Sequence, residues 1–287
     1  MRTTAVSPRG FVLASHPGPT AVVTALATGL AAGVGSTLRT SLLVAGAVLS
    51  GQLSVGWSND WLDAARDRAV RRAGKPVVSG LVSETALRTG ALAAVTVCAF
   101  LSLATGVVPG SVHLVAVASA WAYNVRLKAT AVSWVPYAVS FSLLLLFVVL
   151  AQPGRPEPTW WGLLAAALLG VGAHVANVLP DLEDDRATGV RGLPHRLGHV
   201  RATGVALAAL VAATAVVVLG PSAAPSGPAL VGGATAVVLA GLGTAVALAR
   251  PHSVWPFRLS MAVAAVCVAL LVLSGPDLVN VRSAVTP

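Results

Sequence analysis

The chain is dominated by long apolar runs separated by short polar segments. Only 10% of its 287 residues are charged and 56% are hydrophobic, whereas a typical soluble domain is roughly 25% charged. Because about 20 consecutive apolar residues cross a bilayer as a helix, these runs predict membrane-spanning helices and exclude a soluble enzyme. They also exclude an outer-membrane barrel, whose strands alternate apolar and polar residues.

The apolar runs end at proline, glycine and charged residues, which mark the boundaries of the predicted helices. We expect an all-α, polytopic membrane protein with about nine transmembrane helices in one bundle. The predicted helices cover residues 20–38, 40–57, 81–107, 110–125, 133–151, 159–179, 202–220, 229–249 and 257–275. Residues 20–275 then form one membrane domain, flanked by tails at residues 1–19 and 276–287.

The net charge is +9, and the basic residues responsible for it are concentrated on one side of the predicted membrane. With this helix order, every basic residue except Arg39, Arg155 and Arg282 lies in the N-terminal tail or near an even-numbered loop. Cytoplasmic loops are enriched in lysine and arginine. We therefore expect a multi-pass protein of the cell inner membrane with a cytoplasmic N-terminus. Because topology accounts for the basicity, no nucleic-acid partner is expected.

Most of the acidic residues lie in two clusters, at the predicted cytoplasmic ends of the second and sixth helices. In each cluster an asparagine is followed at i+4 and i+8 by aspartates: Asn59, Asp63 and Asp67 in the first, and Asn177, Asp181 and Asp185 in the second. On a helix this spacing places the three side chains of a cluster along one side. Pro180 falls within the second cluster, where its missing N–H opposes a regular α-helical geometry.

Carboxylates at this spacing repel one another unless a cation lies among them, and ionisable groups near a membrane interior are usually functional. Carboxylate and amide oxygens, without a nearby cysteine or clustered histidines, suit Mg²⁺, which also binds water and phosphate oxygens. Two such clusters facing one another would hold a polyphosphate through bridging magnesium ions. Basic residues beside them are candidates for the remaining phosphate oxygens. These are Arg66, Arg72, Lys75, Lys128 and Arg186. The alternative is that both clusters are solvated loop ends that only fix topology.

The two clusters resemble the signatures of the UbiA superfamily of intramembrane prenyltransferases. Asn59 to Asp67 matches the first signature, NDxxDxxxD, and Asp181 to Asp185 matches the second, DxxxD. The resemblance extends to the helix count, to the placement of the motifs after helices two and six, and to the segments Arg72 to Gly80 and Tyr123 to Lys128. It therefore covers nearly the whole chain.

This resemblance implies a helical bundle around a central cavity that opens towards the lipid and is capped by the two aspartate motifs. It implies Mg²⁺ as the cofactor and an isoprenyl diphosphate as the substrate, with the prenyl group transferred to a hydrophobic or aromatic acceptor. The implied metal and diphosphate positions are Asn59, Asp63, Asp67, Asp181 and Asp185, of which the four aspartates are the catalytic residues. Asp60 also matches the signature, but its i+1 position points it elsewhere.

Further substrate contacts are implied at the end of the fourth predicted helix. Tyr123, Asn124 and Lys128 would contact the diphosphate or the nascent cation. Asn177, the first residue of the second cluster, is a further candidate for substrate contact. The alternative for Tyr123 and Lys128 is an interfacial tyrosine with snorkelling cations. His174 precedes Asn177 by one turn, and it either contacts the acceptor or is a hydrogen-bonded interior histidine.

Two other functions remain compatible with these residues. A terpene cyclase of the same family would bind metal and ionise the diphosphate identically but would need no acceptor. A transporter could use intramembrane carboxylates for coupling, although such acids would be expected within helices rather than at their ends. The prenyl chain length and the acceptor are not specified by the sequence.

Overall fold

The computed structural model describes residues 7–72 and 74–280, so Arg2 and Arg282 of the predicted tails lie outside the described residues. Over the described ranges the chain is helical apart from connections and one pair of two-residue strands. The α-helices are α1 (Pro8–Ala14), α2 (Pro17–Gly33), α3 (Leu38–Ala69), α4 (Glu84–Ala104), α5 (Val107–Val125), α6 (Val135–Leu150), α7 (Trp160–Val178), α8 (Leu182–Ala187), α9 (Leu193–Leu219), α10 (Gly227–Ala249) and α11 (Trp255–Leu273). The all-α prediction is confirmed.

Six helical segments of the described chain are long and apolar enough to cross a membrane. Five of them are the helices α3, α4, α9, α10 and α11. The sixth is the continuous helical segment formed by α7 and α8, Trp160–Ala187. The helices α2, α5 and α6 do not reach this combination of length and hydropathy, and α6 has only 16 residues. An integral multi-pass protein is therefore supported. The nine crossings remain a prediction, because the three other helices would need tilted neighbours or a thinner bilayer.

The second predicted helix is too short, because α3 continues to Ala69 rather than ending at residue 57. At its start, the Oγ1 of Thr37 accepts a hydrogen bond of 3.2 Å from the backbone nitrogen of Thr40. In its last turn, Arg66 and Arg68 complement the negative end of the helix dipole. An apolar-run criterion ends a helix at the first polar residues, whereas backbone hydrogen bonding continues through them. The first aspartate motif therefore lies on the helix and not after it.

The seventh predicted helix begins at Leu193 and not at residue 202. It is kinked at Gly198, where φ is 76° and ψ is 170°. Glycine adopts this positive φ without the steric cost of a side chain. The turns on either side of the kink carry His195 and His199, which both lie against the segment of the second motif.

Both predicted tails include ordered structure that packs on the bundle. The helix α1 lies on α3, where the Nε1 of Trp57 donates a hydrogen bond of 2.9 Å to the carbonyl oxygen of Phe11. At the other end of the chain, Val279–Asn280 pairs antiparallel with Glu157–Pro158. Short polar segments at both ends of the described chain therefore find partners on the bundle, and the division into one membrane domain and two tails stays a prediction.

Close packing of α6 and α7 depends on the absence of a side chain at Gly170. A Cβ atom added there would lie 2.4 Å from the carbonyl oxygen of Tyr137. Helices in a membrane gain little from hydrophobic exclusion of water, so they rely on close van der Waals contact at small residues. Gly170 therefore fixes the backbone of Tyr137 against α7.

Replacement of Gly170 by alanine is expected to lower the free energy of unfolding by about 1–3 kcal/mol, because backbone atoms cannot yield to the added methyl group. Gly241→Ala is the matched control, since no atom lies within 4 Å of a Cβ at that position of α10. Thermal unfolding in detergent measures both variants. Equal stability of Gly170→Ala and the wild type would contradict the close contact.

Candidate functional site

The first aspartate motif occupies the last turns of α3. Asp63 and Asp67 lie one turn apart and are 7% and 1% exposed. One turn earlier, the Nδ2 of Asn59 donates a hydrogen bond of 3.3 Å to the side-chain oxygen of Asn124 on α5. Asn124 in turn donates from its Nδ2 to the Oγ of Ser58 at 2.9 Å. The continuous helix therefore keeps the i+4 spacing of the motif, and Asn124 connects it to α5.

The second motif begins in a short 3-10 turn, Leu179–Asp181, and continues into α8. Pro180 lies at the start of this turn, where its missing N–H does least harm. The chain remains helical through the proline, so Asp181 and Asp185 stay one turn apart. Their side chains are 50% and 17% exposed. The proline changes the local helix type without separating the two carboxylates.

Arg72, which follows α3, connects the two motifs. Its Nη2 lies 2.6 Å from the Oδ1 of Asp181, and its Nη1 lies 3.6 Å from the Oδ1 of Asp185. The same Nη1 is 4.0 Å from the Oδ1 of Asp67. Burial by itself would lower the pKa of the Arg72 guanidinium, but the three carboxylates more than offset it and raise that pKa. Two motifs that are remote in sequence therefore meet at one cation.

Asp63 is held by two other cations. The Nη2 of Arg66 donates a hydrogen bond of 2.7 Å to its Oδ2, and the Nζ of Lys128 donates a short one to its Oδ1. Lys128 lies in the 3-10 turn that follows α5. Burial lowers the pKa of the Lys128 ammonium, and the charge of Asp63 offsets only part of this effect. The two cations neutralise a carboxylate that would otherwise repel Asp67 on the next turn.

Lys75 contacts Asp60 and not the second motif. Its Nζ lies 2.7 Å from the Oδ1 of Asp60, and the Nε2 of His16 lies 3.0 Å from the same oxygen. Asp60 is 1% exposed, and its Oδ2 has no hydrogen-bond partner among the described residues. The side chains in direct contact with Asp60 are therefore different from those in direct contact with Asp63 and Asp67. It ties the segment after α3 and the start of α2 to the motif helix.

Tyr123 belongs to an aromatic cluster contributed by α5, α6 and α7. Its ring centroid lies 5.2 Å from that of Tyr137 and 5.4 Å from that of His174. His174 is 1% exposed, and its Nε2 lies 3.1 Å from the Oγ of Ser133. Asn124, the residue that follows Tyr123 in the chain, is hydrogen bonded to the asparagine of the first motif. The cluster therefore adjoins the site, and His174 is a hydrogen-bonded interior histidine.

A basic cavity of about 470 Å³ lies beside the second motif. It is lined by Arg186, Arg191, His195 and Arg196. The Nε2 of His195 lies 3.4 Å from the Oδ2 of Asp185, and the Nε of Arg186 donates to the carbonyl oxygen of His195 at 3.1 Å. Sequence reasoning missed His195, because no motif marks it and only the early start of α9 brings it to Asp185. Asn177 is exposed at the end of α7.

The carboxylates form a donor set that fits Mg²⁺. The Oδ2 of Asp67 is buried and has no hydrogen-bond partner among the residues that the structure describes. The other carboxylates of the two motifs contact arginine or lysine side chains. A metal ion could take the place of these cations on the carboxylates, and the cations could then contact a phosphate. Mg²⁺ prefers such hard oxygen ligands and usually shares them with water and substrate phosphate. The residues that would hold it are Asn59, Asp63, Asp67, Asp181 and Asp185.

Comparison with solved structures finds the same fold in several proteins. A UbiA homologue from Archaeoglobus fulgidus, bound to GPP and Mg²⁺, has a TM-score of 0.69 and 17% identity over 92% of this chain and 99% of that chain. The apo UbiA homologue from Aeropyrum pernix K1 has a TM-score of 0.69 and 21% identity over 88% of this chain and 97% of its own. A digeranylgeranylglyceryl phosphate synthase has a TM-score of 0.65 and 15% identity over 94% and 99% of the two chains. No curated protein matches the sequence significantly.

At these identities the solved structures establish the fold alone. The assignment to a family comes from a sequence model, that of the UbiA prenyltransferase family, which matches residues 20–262. This match spans most of the chain and includes both aspartate motifs. The chain therefore belongs to the UbiA prenyltransferase family.

Proposed function

We propose that this protein is a Mg²⁺-dependent intramembrane prenyltransferase that ionises an isoprenyl diphosphate. It transfers the prenyl group to an aromatic or lipid-like acceptor. The main support is the position of Arg72, whose guanidinium contacts Asp181, Asp185 and Asp67 and so gathers both motifs into one site. The structures of the Archaeoglobus fulgidus homologue contain GPP or DMAPP with Mg²⁺, which supports the same ligands here.

The proposed metal ligands are the carboxylates of Asp63, Asp67, Asp181 and Asp185, with Asn59 as an additional oxygen donor. When bound, Mg²⁺ would stabilise the negative charge that accumulates on the departing diphosphate. The buried Oδ2 of Asp67 could bind the metal directly, because it accepts no hydrogen bond from any described residue. The remaining carboxylates would exchange their present arginine and lysine partners for the metal.

The cations released from the carboxylates would bind the diphosphate. Arg72 contacts Asp181 of the second motif, and Lys128 and Arg66 both contact Asp63 of the first. Because the metal and the diphosphate carry opposite charges, the site would retain its charge balance when both bind. Arg186 is exposed beside the basic cavity, where it could meet the outer phosphate. Lys75 would act through Asp60, which it contacts, rather than directly on the substrate.

The aromatic cluster next to the motifs would receive the allylic end of the substrate. The π faces of Tyr123 and Tyr137 would stabilise the carbocation left by the diphosphate. Their apolar surroundings would also keep water away from the cation until the acceptor attacks it. Asn124 would position Asn59, to which it is hydrogen bonded, and exposed Asn177 would contact substrate at the edge of the site.

Product analysis tests this proposal directly. Purified protein would be incubated with Mg²⁺ and geranyl, farnesyl or geranylgeranyl diphosphate, with and without a membrane extract, and the products would be identified by mass spectrometry. We expect a prenylated product that forms only when the extract supplies an acceptor. A cyclic hydrocarbon or cyclic alcohol formed without acceptor would indicate a terpene cyclase, and the recovery of intact diphosphate in every reaction would contradict both activities.

We further propose that the N-terminus and both motifs face the cytoplasm, in the inner membrane. Single cysteines would be introduced at the exposed residues Ala65, Ala129, Ala187 and Ser222, in a protein lacking Cys98 and Cys267. We expect an impermeant reagent added to intact cells to label only Ser222→Cys, which follows α9. External labelling at Ala187→Cys but not at Ala65→Cys would place the motifs on opposite sides and contradict the shared site.

A further inference from the structure

Three side chains of types that can bind a metal ion meet on the surface next to the second motif. Glu183 lies in α8, His199 follows the kink of α9, and His252 lies in the turn between α10 and α11. The Nδ1 of His252 is 3.2 Å from the Oε1 of Glu183, and the Nε2 of His199 is 4.0 Å from the same oxygen. One ligand atom from each residue lies within 4.8 Å of the other two. The three residues come from elements that are distant in sequence.

The donor set of this cluster differs from that of the aspartate motifs. Two imidazoles and one carboxylate suit borderline transition metals such as Zn²⁺ and disfavour Mg²⁺, which prefers oxygen ligands. Zinc commonly binds three protein ligands and one water in a tetrahedron. Glu183 lies two positions from both Asp181 and Asp185, so on a helix its side chain faces away from them. The cluster is therefore separate from the proposed magnesium site.

The geometry requires only a small contraction around an ion. With metal–ligand distances of about 2.0–2.2 Å, ligand atoms in a tetrahedron lie roughly 3.3 Å apart. The Glu183–His252 pair already has this separation. The Glu183 and His252 side chains are 69% and 72% exposed, so they can rotate towards His199 without disturbing packed atoms. The open side of the cluster leaves room for the water ligand.

We propose that Glu183, His199 and His252 form a binding site for Zn²⁺ or a similar divalent transition metal. A bound ion would link α8 to α9 and to the turn between α10 and α11. Because α8 also carries Asp185, the ion would restrain the second motif relative to the rest of the bundle. The site does not depend on the proposed prenyl transfer, since its ligands take no part in that reaction.

Calorimetric titration of the untagged protein with Zn²⁺, in detergent and with millimolar Mg²⁺ present, tests the site. The Mg²⁺ is added to compete for the oxygen-rich motifs, and we expect one zinc ion per chain at the cluster. His252→Asn and Glu183→Gln should each weaken binding by about 10–100-fold or more, since even indirect partners of metal ligands change affinity by that factor. Asp184→Asn is the matched control, because Asp184 is an exposed neighbouring carboxylate outside the cluster.

A second measurement separates metal binding from any effect on folding. Zn²⁺ should raise the Tm of the wild type and of Asp184→Asn, but not that of His252→Asn, because a ligand that binds only the folded state stabilises it. All variants should have similar Tm values without zinc, since the altered side chains are exposed. The proposal is overturned if the wild type binds no zinc, if His252→Asn and Glu183→Gln bind it like the wild type, or if Asp181→Asn abolishes binding and His252→Asn does not.

Discussion

Asp63→Asn and Asp181→Asn are each expected to reduce prenyl transfer by roughly 10²–10³-fold or more while the protein still inserts into the membrane and folds. Removing a group that stabilises the developing charge of a transition state has an effect of this size. Asp63 and Asp181 are proposed metal ligands from the two different motifs. Asparagine preserves the size of each side chain but removes the negative charge that would hold Mg²⁺. Product formation per milligram of folded protein is the measurement.

The two variants differ in how far they should lower the stability of the folded protein. Asp63 is nearly buried and neutralises Lys128 and Arg66, so its loss leaves two cations without this partner. The Asp181 side chain is half exposed and contacts Arg72, so Asp181→Asn should fold normally. Asp184→Asn, which alters an exposed carboxylate in the same helix, should retain wild-type activity. Wild-type turnover in Asp181→Asn would remove this residue from the proposed metal site.

Chelation of divalent metal is expected to abolish turnover, and Mg²⁺ is expected to restore it. Without a metal, the carboxylates of both motifs would repel the diphosphate instead of binding it. The leaving group would also lose a Lewis acid that supplies several kcal/mol of stabilisation, so the rate should fall by at least about 10²–10³-fold. Activity would be measured after exhaustive EDTA treatment and again after adding back Mg²⁺, Mn²⁺ or Zn²⁺.

The add-back series also distinguishes the two proposed metal sites. Recovery with Mg²⁺ should be the same in the wild type and in His252→Asn, because His252 lies outside the aspartate motifs. Mn²⁺ should restore activity at least in part, since it also accepts oxygen ligands. Full activity after complete removal of divalent metal would contradict the proposed mechanism. Recovery with Zn²⁺ alone would contradict the oxygen-ligand assignment.

Features that depend on nearby residues could be predicted from the sequence. The apolar runs predicted an all-helical membrane protein, because a segment of that length can satisfy its backbone hydrogen bonds in lipid only as a helix. The spacing of Asp63 and Asp67 predicted that they share one side of a helix, because 3.6 residues form a turn. The described chain is helical and has six segments long and apolar enough to cross a membrane, and Asp63 and Asp67 lie one turn apart on α3.

Helix boundaries could be predicted only where the hydropathy of the sequence changes at the same residue at which the helical backbone begins or ends. The criterion failed for α3, whose last turns are polar yet helical up to Ala69. It failed again at α9, which begins at Leu193 and is kinked at Gly198. In both places polar side chains contact residues of other segments. These contacts stabilise helical turns that are too polar to be recognised from an apolar run.

The sequence by itself determined the fold class, the membrane location and the two aspartate stripes, because each follows from local periodicity and hydropathy. Only the tertiary structure decided which long side chains meet. It pairs Arg72 with Asp181 and Lys75 with Asp60, and it brings His252 to Glu183. A flexible cationic side chain can reach several carboxylates equally well along the chain. Its partner is selected by the positions of helices that are distant in sequence and by the cost of leaving a charge unpaired on burial.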